Sequence, residues 1–529
     1  MALIPVSPLG YVLLMFCTWF IYRRSRRPGN LPPGPKGYPL VGNIFQLGVN
    51  RPWHTLVEWH KTYGDIMYLR LFNQDVIVLN TAKVAGDLLD RRAANYSERY
   101  QMVVPKYLSG GLDIVFMSPG SLWRSMRRAA HEALNIRASM KYYPIQMREG
   151  IRFATDMLES PERYQDHINR FTSYESASLI YNDPSRGNAI EYLVDFTDAL
   201  SESSLPGRHL ANHIPILRHV PDFLAKWKRD ARERNRIASE RFLSYFLPIK
   251  EAVLQKQEPG TSFCSMLVES HERHGLNDLE SSWLAALVFL AGTETTMTTL
   301  GWMTLAMVAF PDVQRKAQEE LDRVIGRTRV PTLHDMESLP YMRAVVKEVL
   351  RWRPAPPMGV FHASLEDDVY EGYHIPKGSL IIPNVLAMNH NAATYGSNPD
   401  EFRPERFLNE DGTLKESPPD TKDEGHYTFG FGRRCVFSNL LTPSNVVADK
   451  GNRICPGRHL ASNALFTFAI VLWAMHLEPG KDDQGRETVP STDDEAHGII
   501  SRAPSFLVSS KPRFPEALEI LMLAKEEWH

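Results

Sequence analysis

Residues 429–461 read FGFGRRCVFSNLLTPSNVVADKGNRICPGRHLA. A glycine-rich turn, Phe429-Gly430-Phe431-Gly432, leads to Arg433 and Arg434. The stretch closes on Ile454-Cys455-Pro456-Gly457 and an apolar run. A cysteine at the mouth of a helix and beside cations is expected to have a lowered thiol pKa. Thiolate is the species that binds soft metals and haem iron. His426, Cys435, Cys455 and His459 also offer a zinc-type donor set, which would make the chain a zinc-binding structural module. No Cys-x-x-Cys pair stands among them, which weakens that reading.

Upstream, residues 284–300 read LAALVFLAGTETTMTTL. They sit in a predicted helix of roughly 30 residues, about 45 Å long. So apolar a helix belongs in the core, yet its middle carries Gly292, Thr293, Glu294, Thr295 and Thr296. A carboxylate there is costly unless paired or used. Gly292 lets a ligand approach the backbone. Thr295 can return its hydroxyl to an upstream carbonyl and open a groove. An acid beside an alcohol in such a groove suits relayed proton delivery. A buried Glu satisfied by neighbouring hydroxyls is the competing reading.

Glu348 and Arg351, in KEVLRWRP, fall on one helical face. Arg406, in FRPERF, lies among aromatic residues, and Glu348 is its candidate partner. Trp123 and Arg127, four apart in LWRSMRR, share another helical face and offer an indole N–H and a guanidinium to one anion. A surface basic helix explains that pair equally well.

With 529 residues, 43% of them hydrophobic, the chain can bury a large core. A net charge of −2 without long blocks of one sign argues against a nucleic-acid partner. Four cysteines, Cys17, Cys264, Cys435 and Cys455, are too few for a disulfide framework. Residues 1–22 are mostly apolar and run straight into Arg23, Arg24, Arg26 and Arg27. The charges follow the apolar run, so it predicts a membrane anchor rather than a cleaved signal. It just reaches bilayer thickness, and the arginines place the remainder on the cytoplasmic side. LPPGPKGYPLVGN, residues 31–43, predicts a stiff connector. Helical spacing recurs over 53–63, 121–135, 225–255, 281–309 and 313–325, and strand-like runs over 66–71, 76–79 and 379–383. The expected fold is mainly α with small β-sheets, behind a single N-terminal transmembrane helix.

Together these residues resemble the cytochrome P-450 family along essentially the whole chain. The resemblance implies that Glu294 and Thr295 are an acid–alcohol pair for oxygen activation, and that Glu348, Arg351 and Arg406 form a structural triad. It implies that Trp123 and Arg127 bind one haem propionate, that His362 in GVFHASLEDD meets the other, and that Cys455 is the axial ligand of haem b. Arg453 is the arginine of the same loop. The implied division is an anchor over 1–22, a basic stop and hinge over 23–43, and a haem-binding catalytic domain over 44–529. The implied activity is monooxygenation of a small hydrophobic substrate by O2, from the endoplasmic reticulum membrane. No Gly-x-Gly-x-x-Gly stands beside a strand, so NADPH acts indirectly. Electrons come from an NADPH-dependent cytochrome P-450 reductase, with cytochrome b5 as a second candidate donor; Arg124, Arg128 and Arg458 are candidate docking residues. PERF, the hinge and ICPGRHLA look most like fungal enzymes of secondary metabolism or xenobiotic oxidation. The pocket is expected near residues 100–112, Phe289, Ala291, residues 357–360 and residues 499–503.

One departure stands out. The family loop reads Phe-x-x-Gly-x-Arg-x-Cys-x-Gly without a break. Here residues 435–453 interrupt it, and removing them restores FGFGRRICPGRHLA. The segment reads either as a retained intron or as a looped-out insertion. In the second case Gly451-Asn452-Arg453-Ile454-Cys455-Pro456-Gly457 rebuilds the motif. Loop length costs little entropy, but the loop must still wrap the thiolate, so haem binding is expected to suffer. A same-fold haem enzyme without monooxygenase activity, and a chain inactivated by the insert, are the alternatives within the family.

Overall fold

Prolines and glycines keep residues 31–43 out of helix, and the stretch docks onto a sheet instead. Tyr68 donates its N–H to Pro33 O at 2.8 Å, and Asn43 N–H donates to Arg70 O at 2.6 Å. The connector is therefore part of the folded body. The computed structural model describes residues 30–48, 51–204, 209–213, 215–257, 261–432, 453–495 and 500–528. The expected anchor over 1–22 and its arginines lie outside the described residues.

The strands are β1 (Ile66–Leu71), β2 (Gln74–Leu79), β3 (Glu98–Arg99), β4 (His362–Ala363), β5 (Asp368–Tyr370), β6 (Tyr373–Ile375), β7 (Leu380–Pro383), β8 (Met475–Pro479) and β9 (Val508–Pro512). Five of them form one sheet in the order β1-β2-β7-β4-β3. β3 pairs antiparallel with β4, placing Arg99 directly opposite His362. Residues directly opposite share a face of the sheet.

Helix makes up most of the rest. The main helices are α1 (Pro52–Tyr63), α2 (Val103–Ser109), α3 (Ser121–Leu134), α4 (Tyr143–Glu159), α5 (Tyr164–Tyr181), α6 (Ile190–Ser204), α7 (Lys226–Leu254), α8 (Asp278–Ala309), α9 (Pro311–Val324), α10 (Pro340–Trp352), α11 (Arg458–Phe466) and α12 (Phe468–Ala474). The sequence-predicted spans agree with α1, α3, α7, α8 and α9 to within three residues.

α8 is the axle of the molecule. Asn277 and Glu280 cap its start reciprocally, each side chain accepting a backbone N–H of the other at 2.9 Å. It ends at Phe310, just before Pro311. α5, α7, α3, α10 and α11 all pack against it. Its composition and length would suit a membrane, but 67% of its most apolar window is buried within the protein, so it is a core helix. Trp283 and Trp302 on α8, with Trp352 on α10 and Trp473 on α12, are among the largest fully buried side chains. Each contributes about 1.5–3 kcal/mol or more by leaving water.

The triad read from sequence is built as expected. Arg351 Nε and Nη2 donate to Glu348 at 2.7 and 2.8 Å, and Arg406 Nε donates to the same carboxylate at 2.9 Å. Glu348 and Arg351 are fully buried. Spare guanidinium protons reach Asn389 O, Pro399 O, Glu401 O and Tyr395 O, so the charges are satisfied as a network. The network fastens α10 to the 395–407 segment that precedes the cysteine loop.

Candidate active site

The cysteine loop is assembled from two separated pieces. Cys455 N–H donates to Phe429 O at 3.0 Å. Gly432 has φ +131°, and a Cβ there would run into the backbone N of Arg453. Only glycine fits such an approach. Phe429 to Gly432 thus supply the first half of the motif and Arg453 to Gly457 the second. Residues 433–452 lie outside the described residues, as do Arg433, Arg434 and Cys435. On the other side, Asp90 accepts the Gly432 N–H and pairs with Lys422 at 2.5 Å.

Arg453 lies against α3 and the segment 97–117. Its guanidinium lies over the Trp123 ring, 4.3 Å from the centroid, and donates to Ser97 O at 3.1 Å and Met117 O at 2.8 Å. Arg127, one turn beyond Trp123 on α3, donates to Ile454 O beside the cysteine. His362 turns its Nδ1 to Tyr96 O at 2.8 Å.

A fifth residue, Arg99, completes this cluster and was not singled out from sequence. It donates to Val360 O at 2.7 Å and Phe361 O at 3.0 Å, and its Nε is buried without a partner. Burial, then the neighbouring Arg453 and Arg127, push the Arg99 guanidinium far below its ordinary value. Burial, then Arg127, push Arg453 down to about 9. Burial, then Arg99, hold His362 well below the usual imidazole range. The nearby acid, Asp113, is itself pushed up to about 6 by burial. Glu98 also favours the charged forms of Arg99 and Arg453, but burial and repulsion from the neighbouring arginines outweigh it. A dianionic ligand would relieve that repulsion, and the two propionates of haem fit it. No sequence spacing announces Arg99; the pairing of β3 with β4 brings it to His362.

Cys455 differs from expectation in one respect. Burial pushes its thiol above the ordinary value, outweighing the Gly457 N–H, Arg127 and Arg458, which all favour the thiolate. The loop thus presents a sulfur that a bound metal cation would have to deprotonate. Cys455 nonetheless keeps some accessible surface. Arg458, an expected docking residue, is spent locally: it pairs with Glu424 at 3.0 Å and donates to Cys455 O at 3.3 Å. Arg124 and Arg128 are exposed.

α8 packs against α11, the helix that follows Cys455. Ala291 is exposed and Thr295 half-buried in the middle of an otherwise buried helix. They are four residues apart and so share a face. Thr295 Oγ1 donates to Ala291 O at 2.7 Å, the back-bond expected of it. Phe289 points elsewhere. It lies two residues from Ala291, about 200° around the helix, and packs 6.1 Å from Tyr181.

Glu294 is buried, but it is not idle beside Thr295. Arg502 Nη2 donates to its Oε1 at 2.6 Å and lies 3.5 Å from Asp198 on α6. Burial raises the Glu294 carboxyl, Arg502 lowers it, and Asp198 raises it again. Arg502 rides on a segment pinned by Trp302 Nε1 to Ser501 O at 2.8 Å and by Ser501 N–H to Ala355 O at 3.1 Å. Ile499, expected nearby, lies outside the described residues. Among the described residues no group of three or more His, Cys, Asp or Glu side chains forms a metal site, so no zinc-type set is assembled there.

A mainly helical body with small sheets carries the Cys455 loop beside a cluster of arginines. Comparison with known proteins makes this specific. The cytochrome P-450 family model matches residues 32–436, ending just inside the segment that splits the loop. A cytochrome P-450 monooxygenase of Armillaria gallica is 41% identical over 99% of this chain and 97% of its own length. Cytochrome P-450 monooxygenase 58 of Postia placenta is 40% identical over 94% and 91%. Cytochrome P-450 monooxygenase iboC of Amanita muscaria is 36% identical over 97% and 96%. The chain belongs to the cytochrome P-450 family. It is an enzyme of the monooxygenase class, an oxidoreductase that incorporates oxygen.

Proposed function

We propose that this chain is a membrane-anchored haem-thiolate monooxygenase that oxidises a small hydrophobic substrate in secondary metabolism or xenobiotic oxidation. The observations that support the reading are the Cys455 loop, the neighbouring cations Arg99, Arg127 and Arg453, and the accessible surface of α8 at Ala291 and Thr295.

In this reading Cys455 holds the iron of haem b. Arg99, Arg127, Arg453, Trp123 and His362 hold the propionates. Haem supplies oxygen activation and electron transfer when bound. Thr295 offers a hydroxyl at the open face of α8, and Glu294 holds or releases a proton one residue away under the control of Arg502. Electrons reach the site from an NADPH-dependent reductase, with cytochrome b5 as an alternative donor, and the exposed Arg124 and Arg128 suit an acidic docking face. Residues 1–22 anchor the chain in the endoplasmic reticulum membrane. Exposed Ile216, Phe223 and Leu224 support contact of the body with an apolar surface.

The reduced, carbon-monoxide-bound absorption spectrum tests the site. We expect a thiolate-type Soret band from the full chain and from a variant lacking residues 434–452, and its loss in Cys455→Ser. A band from the shortened chain alone would show that the insert blocks haem. No band from either would overturn the assignment.

A further inference from the structure

Behind the cysteine helix lies a polar cluster that the chemistry above leaves unused. Gln146 on α4 and Glu175 on α5 are both buried, 0% and 4% exposed. Gln146 Nε2 donates to Glu175 Oε1 at 2.7 Å and to Leu460 O at 3.1 Å. Leu460 lies in the first turn of α11, five residues after Cys455. A backbone carbonyl can only accept, so the amide orientation is fixed. Gln146 Oε1 is then left buried with no donor. Glu175 has a matching defect: among the described residues no cation pairs with it. The neighbouring acid, Glu149, takes Arg148 at 2.9 Å and Arg152 at 3.5 Å. An orphan acceptor and an unpaired buried carboxylate each cost free energy.

One proton removes both defects. We propose that Glu175 is held as the neutral carboxylic acid, hydrogen-bonded in a ring with Gln146, and that this pair positions the helix carrying Cys455. Glu175 Oε2–H donates to Gln146 Oε1. One Gln146 N–H returns to Glu175 Oε1, and the other holds Leu460 O. Burial pushes the Glu175 carboxyl up to about 8, against the Gln146 hydrogen bond and with the like charge of Glu149. Among the described residues Glu149 is the charged group acting on it. α5 also meets α8, since Ser176 Oγ lies 3.6 Å from where a Gly292 Cβ would stand. The pair therefore ties the cysteine helix to the framework that also supports α8.

The functional half of this inference rests on Cys455 being the haem ligand; the pairing does not. The first arm is an infrared difference spectrum of the full chain against Glu175→Gln. We expect a protonated carboxylic C=O band at neutral pH that shifts in heavy water and titrates away near pH 8. A carboxylate band at neutral pH would overturn the pairing. The second arm is thermal unfolding against pH. A carboxyl raised in the folded state stabilises fully below its ordinary value, loses that advantage as pH rises, and has lost it once pH passes about 8. Glu175→Gln removes this slope; an unchanged slope would overturn the pairing. The third arm is the reduced carbon-monoxide spectrum of the holoenzyme. Glu175→Gln keeps the thiolate band, and Glu175→Ala and Gln146→Leu move protein to a thiol-type band. Full retention by both of the latter would overturn the positioning role. A wild type without any haem band would instead sink the haem-thiolate reading, with the first two arms still deciding the pair.

Discussion

Gly432 and Arg453 touch backbone to backbone although residues 433–452 separate them in sequence. The loop that presents Cys455 is therefore closed by contact rather than by chain continuity. The insert leaves and rejoins the framework at one point, and the hydrogen bond from Cys455 N–H to Phe429 O spans the join.

Gly432→Ala should break this join. Its φ of +131° is strained for alanine, and the new Cβ meets Arg453 N. We expect a loss of about 1–3 kcal/mol and a fall in haem content, read by thermal unfolding and by the haem-to-protein absorbance ratio. Wild-type values for both would refute the contact.

Arg99→Gln should act with opposite signs on the two forms of the protein. Without haem it relieves repulsion from Arg453 and Arg127, so the apoprotein melts no lower than wild type. With haem it removes a charged hydrogen-bond donor worth about 1.5–3 kcal/mol. Transfer of haem to apomyoglobin should then run about 10- to 150-fold faster. An equal fall in the stability of both forms would show Arg99 to be merely structural.

Arg502→Gln should change how the molecule responds to pH. Burial already raises Glu294, and Arg502 opposes it; its loss lets the carboxyl rise further. A raised carboxyl favours folding below its ordinary value and loses that advantage as pH rises through its folded value. The stability gap between variant and wild type should therefore widen from acid toward neutral pH, and Glu294→Gln should abolish the widening. A gap independent of pH would place Arg502 outside the control of Glu294.

Glu348→Ala strands Arg351 and Arg406 in the core. Breaking such a network costs about 3–5 kcal/mol. We expect the variant to lose haem and to unfold at a lower denaturant midpoint. A change below about 1 kcal/mol would contradict the buried geometry, since values of about 0–1 kcal/mol belong to exposed ion pairs.

What the sequence could and could not disclose follows from the range of each interaction. Helical periodicity placed α8 and α3, and spacing on one helix paired Glu348 with Arg351. Thr295 was read to its carbonyl acceptor because that bond is local. Arg99 and Arg502 were invisible for the opposite reason. Arg99 acquires its role from a strand pairing with His362, more than 260 residues away. Arg502 acquires its role from a contact with Glu294, 208 residues away. The Cys455 thiol was expected to be lowered by its cations; the extent of its burial, which reverses the sign, is a property of the packed molecule alone.

The two-residue strands β3 and β4 have a consequence outside catalysis. They press Arg99 against Arg453 and Arg127 in a corner where like charges repel until anions arrive. A ligand that binds the folded form alone stabilises it by mass action. With haem as that ligand, the corner would couple the stability of the folded chain to haem supply. Abundance of the enzyme, and not only its turnover, should rise and fall with haem biosynthesis.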